Sequence, residues 1–215
     1  MARVRVLLIA AGFVVAELAL AQTAADRLFD AIDEGKALVA EGIVARGQVD
    51  LNAHNKDGET ALHLAIEKDM KELSAMLVKA GARVNARNSN SGTPLHAAAL
   101  HETPYYAELL LDAKADPNMR NDDGETPLHW AIMSGNAATA RDLLERGADA
   151  RIKDLKGNTV LHFAADSGNE DLVRAFLSLG VDARERNREG KRPVDIARER
   201  GYEPIVKLLE RFEKE

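Results

Sequence analysis

The chain has 215 residues, no cysteine, and 35 acidic against 29 basic side chains, a net charge of −6. That balance argues against general nucleic-acid binding, and the missing thiols exclude disulfides, cysteine metal sites and thiolate catalysis. Aromatic residues are only 4% of the chain, which suits a thin two-layer stack of helices built on Leu, Ala, Ile and Val.

Residues 1–21 stand apart from the rest. Arg3 and Arg5 make a short basic start, Val6 to Ala16 is an unbroken apolar run of eleven residues, and Ala19-Leu20-Ala21 supplies a small-x-small site. This is the layout of a secretory signal peptide, with cleavage expected before Gln22. The run is short for a membrane span, which needs about 20 residues. If it is retained, the same segment caps the stack or anchors it, and the protein is a cytoplasmic or membrane-anchored scaffold instead.

Beyond residue 22 the chain repeats itself. Thr60-Ala61-Leu62-His63, Thr93-Pro94-Leu95-His96, Thr126-Pro127-Leu128-His129 and Thr159-Val160-Leu161-His162 fall 33 residues apart, and Arg192-Pro193-Val194-Asp195 is a worn fifth copy. Units of this length bury their apolar faces only against neighbours, so the period predicts one continuous array. The units run approximately 26–54, 55–87, 88–120, 121–153, 154–186 and 187–215.

The first unit aligns Leu28–Gly35 with Leu62–Asp69 but lacks the seed, carries polar Asp30 at an internal position, and places Gly42 in its second helix. A mid-helix glycine weakens a helix by about 1 kcal/mol relative to alanine. The second unit opens on the turn Asn55-Lys56-Asp57-Gly58, and its second helix carries Leu73, Met76 and Leu77 before stopping at Gly81. The third departs most. Its turn glycine moves to Gly92, Glu102 takes an inter-helix glycine position, Lys114 replaces the helix-ending glycine, and Tyr105-Tyr106 opens its second helix. This irregularity reads either as a functional feature or as drift in a tolerant middle unit. The fourth and fifth units are regular, and the sixth is a charged cap ending in Glu210, Arg211, Glu213, Lys214 and Glu215.

The seeds, turns and period together resemble the ankyrin repeat. The resemblance implies an all-α solenoid of about six helix-turn-helix units joined by β-turn or hairpin fingers. It implies structural roles for Thr60, Thr93, Thr126 and Thr159 as helix caps, and for His63, His96, His129 and His162 as braces of the turn. It also implies a non-enzymatic module that binds another protein through its concave face, formed by finger tips and the exposed sides of the first helices. Matching positions are Lys56, Asp57, Glu59, Glu67 and Lys68, then Ser89, Asn90, Leu100 and His101. Asp122, Asp123, Glu125 and Met133 follow in the fourth unit, and Leu155 and Lys156 in the fifth. Leu100, Met133 and Leu155 are apolar where exposure is expected, the usual anatomy of a binding patch within a polar rim. Trp130 stands in a seed position filled elsewhere by Leu64, Ala97, Phe163 and Ile196 and reads as core rather than as a binding hot spot.

No cofactor, metal or nucleic acid is expected, and no membrane contact after signal removal; the array reads as a monomer. The seed histidines recur at an inter-unit spacing of about 8–10 Å, too far apart to share a zinc ion whose ligands lie about 2 Å from the metal. No serine sits in a nucleophile elbow and no phosphate loop is present. The basic residues Arg184 to Arg200 are interleaved with Glu185, Glu189 and Glu199, as in a solvated cap. With export to the bacterial periplasm, resemblance to small exported ankyrin proteins implies one of two roles. These are support of an oxidative-stress enzyme such as a catalase, and immunity against a toxic effector.

Overall fold

The computed structural model describes residues 23–213. The signal-peptide assignment, residues 1–21, lies outside the described residues. Twelve short helices follow one another in pairs, and no strand occurs among the described residues. The pairs are α1 (Ala24–Asp33) with α2 (Ala37–Ala45), α3 (Ala61–Glu67) with α4 (Lys71–Lys79), and α5 (Pro94–Ala99) with α6 (Tyr105–Asp112). Next come α7 (Pro127–Met133) with α8 (Ala137–Glu145), α9 (Val160–Ser167) with α10 (Glu170–Ser178), and α11 (Pro193–Arg200) with α12 (Glu203–Phe212). First helices stack on first helices and second helices on second helices.

The period dictates this stacking. Leu62, Leu95, Leu128, Leu161 and Val194 occupy one row and are fully buried, as are Ala65, Ala98, Ala131, Ala164 and Ala197 in the next row. The small alanines let neighbouring first helices approach closely, and the leucines fill the layer between them. A second row crosses the outer helices as Leu73, Tyr106, Thr139, Leu172 and Ile205, again all buried.

Each finger is built by one side chain. The amide oxygen of Asn55 accepts the backbone N–H groups of Asp57 and Glu59, both at 2.9 Å. Asn121 and Asn187 do the same for their own turns, and Asn88 for the third. The fingers are turns rather than extended hairpins. Each is tied to the next by a backbone bond, such as Leu155 N–H to Asp123 O at 2.7 Å and Arg188 N–H to Lys156 O at 2.8 Å. At the base of the fingers, Arg87 donates to the Arg120 carbonyl and Arg120 to the Lys153 carbonyl, at 2.8 and 3.0 Å.

Finger glycines are required on two counts. Gly58 has φ +74°, and a Cβ there would meet the Ser89 nitrogen at 2.6 Å. In the third finger the left-handed position stays in register although the glycine does not: Ser91 adopts φ +57° and Gly92 an ordinary conformation. Lys114, in place of the helix-ending glycine, has φ +67°. A non-glycine residue there costs about 1 kcal/mol. Lys114 is exposed, so Lys114→Gly is expected to stabilise the array by roughly 1 kcal/mol and raise Tm by about 2–4 °C. Thermal unfolding followed by circular dichroism checks this, and an unchanged or lower Tm would show that the turn is not strained.

The two ends depart from the seed in a common way. Thr23 caps α1 with Asp26 in the place of histidine: the Thr23 N–H donates to Asp26 at 2.9 Å, and Asp26 N–H donates back to Thr23 Oγ1 at 3.0 Å. In the last unit the Arg192 N–H donates to Asp195, and the Arg192 guanidinium binds both Asp195 and Glu213, the latter at 2.8 Å. In the sixth unit no following finger among the described residues could receive a second histidine nitrogen.

One junction lacks a bond that the three before it share. Asn52, Asn85 and Asn118 each accept a backbone N–H from the next unit, those of Arg83, Asp116 and Asp149, at 2.7 to 2.9 Å. The corresponding residue between the fourth and fifth units is Arg151, which turns back to Asp149 in its own unit. At the same junction α8 and α10 make the slightest contact of any adjacent pair.

Candidate functional site

The threonine–histidine pairs set the frame for the concave face. In each of the four seeds the threonine N–H donates to the histidine Nδ1, at 3.0 to 3.2 Å, closing a capping box in which histidine takes the role usually given to glutamate. Nδ1 is therefore an acceptor, and the proton of the neutral ring sits on Nε2. That proton is donated to the next finger: His63 to Gly92 O, His96 to Glu125 O and His162 to Lys191 O, at 3.3, 3.1 and 3.0 Å. His129 is the exception. Its buried Nε2 has no hydrogen-bond partner, although the Ile152 carbonyl lies near enough to favour its proton. All four rings are almost wholly buried. Burial pushes the pKa of His63, His96 and His129 down to about 4, and that of His162 also down.

In the fourth and fifth units the residue after the seed histidine covers the histidine of the preceding unit. Trp130 stands edge-on to His96 with ring centres 5.3 Å apart, and Phe163 edge-on to His129 at 5.0 Å. Trp130 is half-buried rather than core, and its indole N–H is held by Glu125 at 2.8 Å.

The finger tips and first-helix flanks form a continuous face. One row of it runs Asp33, Glu67, Leu100, Met133, Asp166 and Glu199, and every member is exposed. Leu100 is 52% and Met133 46% exposed, and Leu155, on the fifth finger, is 48% exposed. Lys56, Asp57, Lys68, Ser89, Asn90, Asp122, Asp123 and Lys156 are likewise at the surface, while Glu59 and Glu125 are half-buried. His101 is half-buried because its ring lies 4.7 Å from that of Tyr106.

The two ends of this face differ in charge. Toward the C-terminus the carboxylates are paired: Asp166 with Arg200 at 2.6 Å and Glu199 with Lys191 at 2.9 Å. Toward the N-terminus, Asp33, Asp57, Glu59 and Glu67 form no ion pair with any described residue. They border a groove of about 520 Å³ between α1 and the second unit, with Lys56 and Lys68 at its edge. Burial, reinforced by Glu59, pushes the Glu67 pKa up to about 7.

The sequence reading passed over a second apolar surface. Leu38 is 83% exposed and Val39 52% exposed on the outer side of α2, beside half-buried Ile43. The signal lay in the run Ala37-Leu38-Val39-Ala40, followed closely by Ile43-Val44, which is apolar on every side of its helix. No group of three or more metal-binding side chains comes together among the described residues, and no described helix is long and apolar enough to cross a membrane.

Comparison with known proteins agrees with this architecture. The family model described as ankyrin repeats (3 copies) matches residues 28–121, 87–154 and 128–214. The crystal structure of the ankyrin repeat domain of Bcl-3, described as a unique member of the IkappaB protein family, superposes with a TM-score of 0.75 at 30% sequence identity, covering 86% of this chain and 85% of that one. No curated protein matches the sequence. With the family model spanning nearly all of the repeats and the capped seeds stacked as described, the chain belongs to the ankyrin-repeat family.

Proposed function

We propose that this chain is an exported, non-enzymatic binding module that holds another protein against its concave face. The ankyrin fold is a protein-interaction scaffold, and the observation that carries the rest is the apolar centre of that face. Leu100 and Met133 lie in adjacent units of one row, Leu155 lies on the next finger, and all three are about half exposed within a charged rim. An apolar centre inside a polar rim is what a partner can desolvate with gain. Export to the bacterial periplasm is the part of the proposal supported by residues 1–21, with their basic start, apolar run and Ala19-Leu20-Ala21 site.

The experiment compares the full chain with a Leu100→Lys/Met133→Glu variant. Both are purified from separated cell fractions, their N-terminal masses are measured, and co-purifying protein is quantified. The expected result is a soluble exported chain beginning at Gln22 whose partner is captured by the parent and lost, at least tenfold, by the variant. The variant should keep the parental Tm within a few degrees, because both side chains are exposed. Equal capture by both would refute the concave face, and a cytoplasmic chain retaining Met1 would refute export.

A further inference from the structure

We infer that the partner presents an aliphatic anchor flanked on one side by lysine or arginine residues, the anchor meeting Leu100 and Met133 and the basic flank meeting the first two units. This rests on the concave-face reading above and adds the chemistry and polarity of what binds.

The inference follows from the single row Asp33, Glu67, Leu100, Met133, Asp166 and Glu199, one residue per unit. Its two apolar members are central and exposed. Beyond them toward the C-terminus, the acidic members are already neutralised by Arg200 and Lys191 of the sixth unit. Toward the N-terminus, Asp33 and Glu67 form no ion pair with a described residue; Lys56 and Lys68 stand at the groove edge, and Lys68 offsets only part of the effect of burial and Glu59 on Glu67. Both halves of the row are acidic in sequence, yet only one is satisfied within the fold.

Each half of the row borders a groove, of about 570 Å³ beside Asp166 and Glu199 and about 520 Å³ beside Asp33 and Glu67, and only the second has its row carboxylates unpaired. Asp57 and Glu59 join Glu67 around the groove between α1 and the second unit. Like charges held together in a partly dry groove repel one another. Glu67 bears the consequence, with its pKa raised to about 7 by burial and by Glu59. A guanidinium or ammonium group entering the groove relieves this repulsion and completes the pairing that Arg200 and Lys191 supply at the other end. An acidic flank would add to the repulsion instead, which fixes the orientation of the bound chain.

The spacing of stacked units, about 10 Å, matches seven residues of an α-helix at 1.5 Å each. The test therefore uses three labelled helical peptides of one design. Each has leucines seven residues apart, followed at the next two seven-residue steps by lysine, glutamine or glutamate. Binding to the full chain is measured by fluorescence anisotropy at low and high salt. The lysine peptide is expected to bind at least tenfold more tightly than the glutamine peptide, and the glutamate peptide most weakly. The order should collapse at 0.5 M salt, where the screening length falls to roughly 4 Å. It should also collapse in an Asp33→Asn/Glu67→Gln variant, which keeps affinity for the glutamine peptide. Equal binding of the three peptides, or none by any of them, overturns the charge assignment. Loss of all binding in Leu100→Lys/Met133→Glu separates that outcome from the concave-face reading: equal peptide binding that still requires Leu100 and Met133 leaves the face intact and removes only its polarity.

Discussion

Acidification from pH 7 to pH 4 is expected to unfold the array, with a net uptake of two to three protons per chain. The seed histidines are the cause. Each accepts the threonine N–H at Nδ1, and three donate Nε2–H to a carbonyl of the following finger. A second ring proton would place a donor against a donor at Nδ1 and a charge in a dry site. The folded pKa of His63, His96 and His129 is depressed to about 4, against an unfolded value of 6.5. The sign follows. Between these values the unfolded chain binds more protons, so the stability is fully present above pH 6.5 and is lost as pH falls toward 4. Each ring withdraws up to about 3 kcal/mol at pH 4, on the scale of 1.36 kcal/mol per pKa unit. Three together rival the roughly 5–15 kcal/mol by which a typical domain is stable. Glu67 acts in the opposite sense: its pKa is raised from 4.5 to about 7, so its contribution is lost as pH rises through that interval. It is one exposed group against several buried ones, and the histidines win. Tm measured between pH 7 and pH 4 should fall steeply below pH 6. His96→Gln keeps an acceptor for the threonine N–H without the titration, and should flatten the slope by about one proton. A Tm that is flat down to pH 4.5 would refute the account.

The same histidines show what was legible in the sequence. Their recurrence every 33 residues disclosed the fold, because identical contacts between identical units need identical residues. The exposure of Leu100, Met133 and Leu155 followed from counting positions within a unit. The ends were less legible. Thr23 with Asp26 is a threonine–histidine pair rewritten for a unit whose helix starts a turn earlier, and alignment by leucines hides it. Nor could counting within one unit tell paired from unpaired carboxylates in the concave row. Asp166 meets Arg200, 34 residues beyond it in the next unit, and Glu199 meets Lys191, eight residues before it on the finger of its own unit. Trp130 read as core because the same seed position holds apolar Leu64, Ala97, Phe163 and Ile196 elsewhere, yet its ring extends past the layer and reaches Glu125. The missing bond after the fourth unit was visible in retrospect, since the series Asn52, Asn85, Asn118 breaks at Arg151.

Truncating Tyr106 is expected to be among the most damaging single changes in the array, and the reason lies in how the two tyrosines of the third unit are held. Tyr106 is fully buried in the row of Leu73, Thr139, Leu172 and Ile205. It is the bulkiest member of that row, and the next member, Thr139, is small. Its hydroxyl leaves the third unit and donates to Asp69 Oδ1 of the second at 2.8 Å. Asp69 stands where the fourth, fifth and sixth units have Gly135, Gly168 and Gly201 and is held at φ +54°. Tyr105 packs edge-on against Tyr106 at 5.2 Å, with Lys71 of the second unit 5.6 Å over its ring. The two tyrosines are thus a brace across a junction, not a docking feature. Tyr106→Ala should cost about 3–5 kcal/mol, the range for deleting a buried aromatic ring, and lower Tm by roughly 6–20 °C. Tyr106→Phe should cost only about 1 kcal/mol, because exposed Asp69 recovers water in place of the hydroxyl. The pairing with Asp69 gives a sharper test. In the parent, Asp69→Gly relieves about 1 kcal/mol of backbone strain and loses a hydrogen bond of similar worth, so Tm should barely move. In the Tyr106→Phe background the bond is already gone, and the same change should stabilise by about 1 kcal/mol. A double-mutant cycle in which Asp69→Gly has the same effect in both backgrounds would show that the two residues are uncoupled and that the brace is packing alone.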